Sequence, residues 1–133
     1  MIGNIVLEVT GKRIGRRVLS VEPAPKVEVS FEESGTILGH PINNMGTYWS
    51  GFRPDGSLYG EGQGVVVTSD GEMATWKGQG VGKLGPGGAV SYRGSLYFNT
   101  SSAKLTSLNT MAVVFEYEVD AAGNTKTKGW EWK

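Results

Sequence analysis

Two Asp-Gly turns, Pro54-Asp55-Gly56 and Ser69-Asp70-Gly71, stand between runs in which β-branched and aromatic residues alternate with polar ones. Turns of this kind join neighbouring antiparallel strands. The middle of the chain must therefore be a meander. The same alternation extends almost end to end. It predicts strands near Ile5–Thr10, Ile14–Val21, Lys26–Glu33, Met45–Arg53, Ser57–Thr68, Glu72–Lys83, Ala89–Asn99, Met111–Val119 and Thr125–Trp132. Pro23 and Pro25 break the chain before the third run, Leu84–Gly88 reads as a glycine-rich loop, and Ala122-Gly123-Asn124 as a looser turn. Ser101–Asn109 is the one helical candidate, a short helix or ordered loop lying over one end of the sheet.

A chain of 133 residues supports a single domain, here residues 1–133. Lys+Arg and Asp+Glu both number 13, which argues against a protein that holds nucleic acid by bulk charge. The absence of cysteine excludes disulfides, thiolate metal sites and cysteine nucleophiles, and a lone histidine, His40, excludes a multi-histidine metal site within one chain. The N-terminus has no signal-peptide pattern and no apolar run is long enough to span a membrane as a helix, so the expected setting is cytoplasmic.

The turns also set a register. With Asp55-Gly56 and Asp70-Gly71 each taken as a two-residue turn, Tyr48 falls opposite Gln63, Ser50 opposite Glu61, Phe52 opposite Tyr59, and Val65 opposite Trp76. The face of Trp76 then continues through Val90, Tyr92, Gly94, Leu96 and Phe98, whose alternates are mostly polar, and through Val113, Phe115, Tyr117 and Val119. This is the inner face. So many antiparallel strands with one apolar face must close or pack as a sandwich. Inward glycines at Gly46, Gly78, Gly80 and Gly94 suit the sharp coiling of a small barrel. The expected fold is all-β, a single antiparallel meander barrel of about eight strands, with at most one short helix near 101–109.

On this register Glu61 lies inside the barrel and is the candidate catalytic acid or base, because a carboxyl there must be paired, hydrogen-bonded or raised in pKa. Tyr48, Ser50, Tyr59, Gln63 and Tyr92 supply polar ligand contacts, and Trp76, Phe98 and Phe115 the apolar wall. The plain alternative is a buried polar cluster that fixes register and binds nothing.

Other features have competing readings. GEGQGV and GQGVGK lack the spacing of a phosphate loop, and no helix follows either. Lys12, Arg13, Arg16 and Arg17 could meet an anion, or could guard an edge strand. His40 sits in a turn-like segment, where an exposed loop histidine is the simpler reading. Trp130 and Trp132 share one strand face and need cover, either from barrel closure or from a subunit interface. The register also puts Trp49 outside, beside Gly51, Gly60, Gly62 and Gly64, a flat strip that points to a homo-oligomer.

The run from Gly46 to Asn124, with GTYWSGFRPDGSLYGEGQGVVVTSDGEMATWKGQGVGK, YRGSLYF and VVFEYEVDAAGN, resembles a group of small uncharacterised bacterial and archaeal β-barrel proteins. More distantly it resembles barrels related to allene oxide cyclase. That second resemblance implies an eight-stranded barrel, often oligomeric, that works without a cofactor on an apolar molecule, with a buried glutamate aiding the chemistry. Glu61 matches that glutamate by its place in a strand, not by a shared motif.

Two readings follow. In the first, a cofactor-free, metal-free barrel binds a small apolar or amphipathic ligand and possesses an isomerase- or cyclase-like activity. In the second, a non-catalytic oligomer has a filled core. A weaker third is an anion-binding module using Arg13, Arg16 and Arg17.

Overall fold

The computed structural model describes residues Met1–Lys133. Eight strands form a closed barrel in which each pairs antiparallel with its neighbour in sequence, and the last pairs with the first. They are β1 (Ile2–Ser20), β2 (Lys26–Ile37), β3 (His40–Phe52), β4 (Leu58–Thr68), β5 (Met73–Leu84), β6 (Val90–Asn99), β7 (Ala112–Val119) and β8 (Asn124–Trp132). The first two runs expected from the sequence are one strand, bent at irregularities between Arg13 and Gly15 and between Val18 and Ser20. His40 is not in a connecting segment. It opens β3, directly after a tight turn at Leu38-Gly39, and pairs with Ile37. No helix is long and apolar enough to cross a membrane.

The hairpin turns differ from the two-residue form. Arg53 N–H donates to Ser57 O at 2.8 Å and Gly56 N–H to Arg53 O at 2.9 Å, leaving a three-residue loop, Pro54-Asp55-Gly56, with Gly56 at φ +87°. The same pattern recurs where Thr68 N–H donates to Glu72 O at 2.8 Å, and where Asp120 N–H donates to Asn124 O at 3.0 Å. A type I turn closed by a glycine at positive φ accounts for all three, because the left-handed residue lets the strands resume pairing one position later. The two Asp-Gly loops each hold one residue more than the two-residue turns expected from sequence, so each shifts the register by one.

The consequence is confined to β4. Tyr48 pairs with Gly62, Trp49 with Glu61 and Thr47 with Gln63, while Gly62 pairs with Gly78 and Gly60 with Gly80. The two shifts cancel across β4, so β3 and β5–β8 keep the expected faces and β4 alone is turned over. Leu58, Gly60, Gly62, Gly64, Val66 and Thr68 face in. Glu61, Gln63 and Tyr59 face out, and Gly60, Gly62 and Gly64 are not part of an outer strip beside Trp49.

Glycine shapes the interior by making room for rings on the facing strands. A Cβ on Gly64 would stand 2.4 Å from the Trp76 indole, one on Gly46 2.6 Å from Phe31, and one on Gly82 2.9 Å from Tyr92. Large rings thus fold flat over bare backbone, a device that permits tight coiling without leaving voids.

One end of the barrel is plugged by the β6–β7 connection. Instead of a regular helix over 101–109, it holds a short 3₁₀ turn at Thr106–Thr110. Leu105 and Leu108 are fully buried there and belong to the same core cluster as Ile37, Val66 and Phe98. Burying each leucine contributes roughly 1.5–3 kcal/mol. Polar ties hold the plug in place. Thr100 N–H donates to Asn109 Oδ1 at 2.8 Å, Ser102 Oγ donates to Glu72 Oε1 at 2.7 Å, and Lys104 pairs with Asp70.

Candidate functional site

The inner alternation of β2 runs Val29, Phe31, Glu33, Gly35, Ile37. Glu33 is therefore a carboxyl in an otherwise apolar phase, and at 4% exposure it is the only charged side chain in the buried core. An isolated carboxylate there would cost several kcal/mol. The chain answers with hydrogen bonds. Thr127 Oγ1 donates to Oε2 at 2.8 Å, Thr125 Oγ1 to Oε2 at 2.9 Å, and Asn44 Nδ2 to Oε1 at 3.3 Å. Asn44 in turn accepts from Trp76 Nε1 at 2.8 Å. The network joins β8, β2, β3 and β5 across the lumen. Its threonines come from the alternation of Thr125 and Thr127 with Lys126 and Lys128, which turns hydroxyls in and ammonium groups out.

No cation pairs with Glu33. The ion pairs of the chain lie on the outside, as with Arg93 and Glu118 at 2.9 Å or Lys128 and Glu8 at 3.3 Å. Burial therefore dominates and raises the Glu33 pKa above the ordinary carboxylic range, partly offset by the hydrogen bonds from Thr127, Thr125 and Asn44.

Beside this polar cluster lies a cavity of about 70 Å³. Phe31, Tyr48, Trp76, Tyr92, Phe115 and Tyr117 form its aromatic walls, with Glu33, Asn44 and Thr127 at its polar side. Tyr48 packs edge to face on Tyr92 and Tyr117, and the other ring pairs are tilted. The Tyr48 and Tyr117 centroids are 5.5 Å apart at 83°, and those of Phe31 and Tyr117 are 5.4 Å apart. Tyr92 hydrogen-bonds Ser50. Tyr117 is different. Its hydroxyl is the only buried side-chain polar atom with no partner in hydrogen-bond geometry, although the Tyr48 phenol lies near enough to act on it. Burial pushes the Tyr48 phenol up to about 12 and that of Tyr117 higher still, so both remain protonated hydrogen-bond donors.

Of the residues singled out from sequence, Tyr48, Ser50, Trp76, Tyr92, Phe98 and Phe115 point inward, with Phe98 packed toward the plugged end. Gln63 and Tyr59 do not join them, and Glu61 borders the cavity from a strand position whose side chain turns outward. Glu61 is exposed on the outer face, where it accepts from Tyr59 Oη at 2.7 Å. The basis for giving it a buried acid–base role is thus removed, and the carboxyl inside is Glu33. Sequence reasoning passed over Glu33, Asn44, Thr125 and Thr127. The signals were a lone glutamate in phase with Val29 and Phe31, and the Thr-Lys-Thr-Lys alternation of β8. Trp49 lies outside as expected, 5.6 Å from Tyr59 by ring centroid, with the Lys26 ammonium 4.2 Å over its ring. No three His, Cys, Asp or Glu side chains converge as a metal site.

No protein-family model matches the chain, and no curated protein matches it by sequence. Solved structures match in fold. A protein of unknown function from Clostridium acetobutylicum superposes with a TM-score of 0.83 at 13% identity, covering 96% of each chain. A conserved protein of unknown function from Rhodopseudomonas palustris gives 0.80 at 13% identity, over 98% of this chain and 97% of that one. A β-barrel-like protein from Acinetobacter baumannii gives 0.82 at 11% identity, over 100% of this chain and 96% of that one. At such identities the likeness is one of architecture: the chain shares its eight-stranded barrel with small proteins of unknown function.

Proposed function

We propose that the barrel binds a small, uncharged, largely apolar molecule in its lumen, held by an acceptor atom on the Tyr117 hydroxyl. The observation that carries this reading is that hydroxyl: buried, protonated, close to the Tyr48 phenol but with no partner in hydrogen-bond geometry, and set on a residue that lines a cavity. Leaving such a group unsatisfied costs about 1–3 kcal/mol, which an oxygen or nitrogen acceptor on a ligand would recover. The surrounding rings favour an apolar body, and the buried carboxyl of Glu33 disfavours an anion. Size narrows the class further. A cavity of roughly 150 Å³ holds benzene, so about 70 Å³ suits a molecule of a few non-hydrogen atoms and is far too small for a long acyl chain. Glu33, with its raised pKa, is the group placed for proton transfer to such a molecule. That is the cofactor-free chemistry the resemblance to the cyclase barrels implies, moved from Glu61 to Glu33.

The test is native mass spectrometry of gently purified protein, with extraction and identification of co-purifying small molecules. A stoichiometric bound mass that is lost in Tyr117→Phe and in Trp76→Ala, but kept in the outer-face variant Glu61→Gln, supports the reading. A bare chain mass, together with no thermal shift from a panel of small ketones, amides and alcohols, overturns it in favour of a filled, non-catalytic barrel.

A further inference from the structure

β1 outlasts the barrel. Its first part, Ile2 to Lys12, pairs with β8, but the remainder pairs with β2 alone. The outer edge of Ile14–Ser20 therefore carries no strand, and alternate residues there present N–H and C=O groups sideways to solvent. The same short stretch is rich in exposed aliphatic surface. Ile14 is 60% exposed, Val18 64%, Leu19 40% and Val21 65%. Its charges are also ordered. Arg13 and Arg16 at its start and Glu22 at its end form no ion pair within the chain, whereas Arg17 reaches Glu28 at 3.4 Å. The edge is positive at one end and negative at the other.

We infer that Ile14–Glu22 is an interface on which a second copy of this chain adds edge to edge, antiparallel, with Val18 on the two-fold axis. An antiparallel pair related by such an axis sets one residue opposite its own copy. Arg16 or Arg17 on the axis would place like charges face to face. Gly15 on the axis would bring Lys12, already paired with Asn124 of β8, opposite Val18. Leu19 or Ser20 on the axis would bring Pro23, which has no N–H to donate, into the ladder and shorten it. Val18 on the axis sets Arg16–Ser20 of one copy against Arg16–Ser20 of the other and carries Gly15 and Ile14 alongside Val21 and Glu22, which follow the end of β1. Val18 faces Val18, Arg17 faces Leu19, Arg16 faces Ser20, Gly15 faces Val21 and Ile14 faces Glu22. Each Glu22 carboxylate then lies diagonal to Arg16 of the other copy, so these unpaired charges find opposite partners. The pairing covers the open edge and brings the exposed aliphatic side chains together.

The chain contains no cysteine, which makes the test clean. Val18→Cys under mild oxidation gives a disulfide-linked dimer on a non-reducing gel. Met73→Cys, equally exposed on the outer face of β5, does not. Sedimentation equilibrium of the uncrosslinked protein shows a dimer, or a multiple of one, and Val18→Lys raises its dissociation constant tenfold or more by setting two ammonium groups on the axis. Because Val18 is a surface residue, near-UV circular dichroism of Val18→Lys stays native, which separates loss of the interface from loss of the fold. The inference is overturned by a wild-type monomer at 100 µM (about the concentration such assays reach), by an assembly indifferent to Val18→Lys, or by a Val18→Cys variant that crosslinks no faster than Met73→Cys.

Discussion

Replacing Gly64 by alanine tests the packing that builds the lumen. The added Cβ would stand 2.4 Å from three atoms of the Trp76 indole, where ordinary contact begins at 3.4 Å. The ring must therefore retreat by about 1 Å in an interior packed like a molecular crystal. It has nowhere easy to go. The same edge of the ring, at Cζ2, already lies 2.7 Å from where a Cβ on Gly46 would stand, and Phe31 packs beside it at a centroid distance of 6.3 Å. Its Nε1–H is tied to Asn44 Oδ1 at 2.8 Å, and Asn44 is tied to Glu33. Overpacking of this kind costs about 1–3 kcal/mol. Pulling the indole off Asn44 leaves buried polar atoms unpaired, for about 1–3 kcal/mol more. The expected loss is about 2–6 kcal/mol, or a fall in Tm on the order of 10 °C for a domain of this size. Gly51→Ala is the matched control. Its Cβ would meet Trp49 at 3.7 Å on the outer face, an ordinary contact, so stability should be unchanged or slightly raised. Urea unfolding followed by tryptophan fluorescence gives both free energies, and near-UV circular dichroism reports the indole environment. If Gly64→Ala stays within 1 kcal/mol of Gly51→Ala with a native near-UV spectrum, the inward face assigned to β4 is wrong.

Glu33 should leave a mark on the pH dependence of stability. Its folded pKa is raised, so the unfolded chain releases this proton first, and stability falls as pH rises from the ordinary glutamate value toward the folded one. Urea midpoints from pH 4 to 7.5 should therefore show wild type losing ground to Glu33→Gln over that window; parallel curves would mean that the carboxyl is not desolvated. Asp70, held down to about 2 mainly by its hydrogen bond to Lys104, works in the opposite sense, its contribution fading as pH drops through that value. Leu108→Ala in the barrel plug should cost about 2–5 kcal/mol in the same urea assay, whereas Ser107→Ala, exposed beside it, should cost little. Gly71→Val forces a β-branched residue to φ +89° and should cost more than about 1 kcal/mol, with Gly71→Asn milder because asparagine tolerates that region; equal costs would show that the loop does not need the left-handed residue.

The architecture was legible because alternation and turn residues act locally and agree along the whole chain. Val90, Tyr92, Leu96 and Phe98 could only be an inner face once Ser91, Arg93 and Ser95 were seen between them. The candidate site was harder, because side-chain facing depends on the parity of each loop, and an Asp-Gly pair does not state whether two or three residues make the turn. At Asp55-Gly56 and again at Asp70-Gly71 the chain uses three. Two slips of one residue each restore the phase beyond β5, so Trp76, Tyr92 and Phe115 fall inside on either reading, and the error stays hidden in β4. Glu61 and Gln63 were the residues exposed to it. Physically, β4 can carry glycines inward only because Tyr92, Tyr48 and Trp76 from other strands occupy the space beside Gly60, Gly62 and Gly64, and strand-by-strand alternation does not register that compensation. A better criterion was present in the glycines themselves. Gly60, Gly62 and Gly64 in one phase of β4, facing Gly80, Gly78 and Trp76 of β5, place bare backbone against large rings. With Gly60, Gly62 and Gly64 inside, Glu61 must lie outside. The search for a buried carboxyl then passes to β2, where Glu33 stands in phase with Phe31 and Val29.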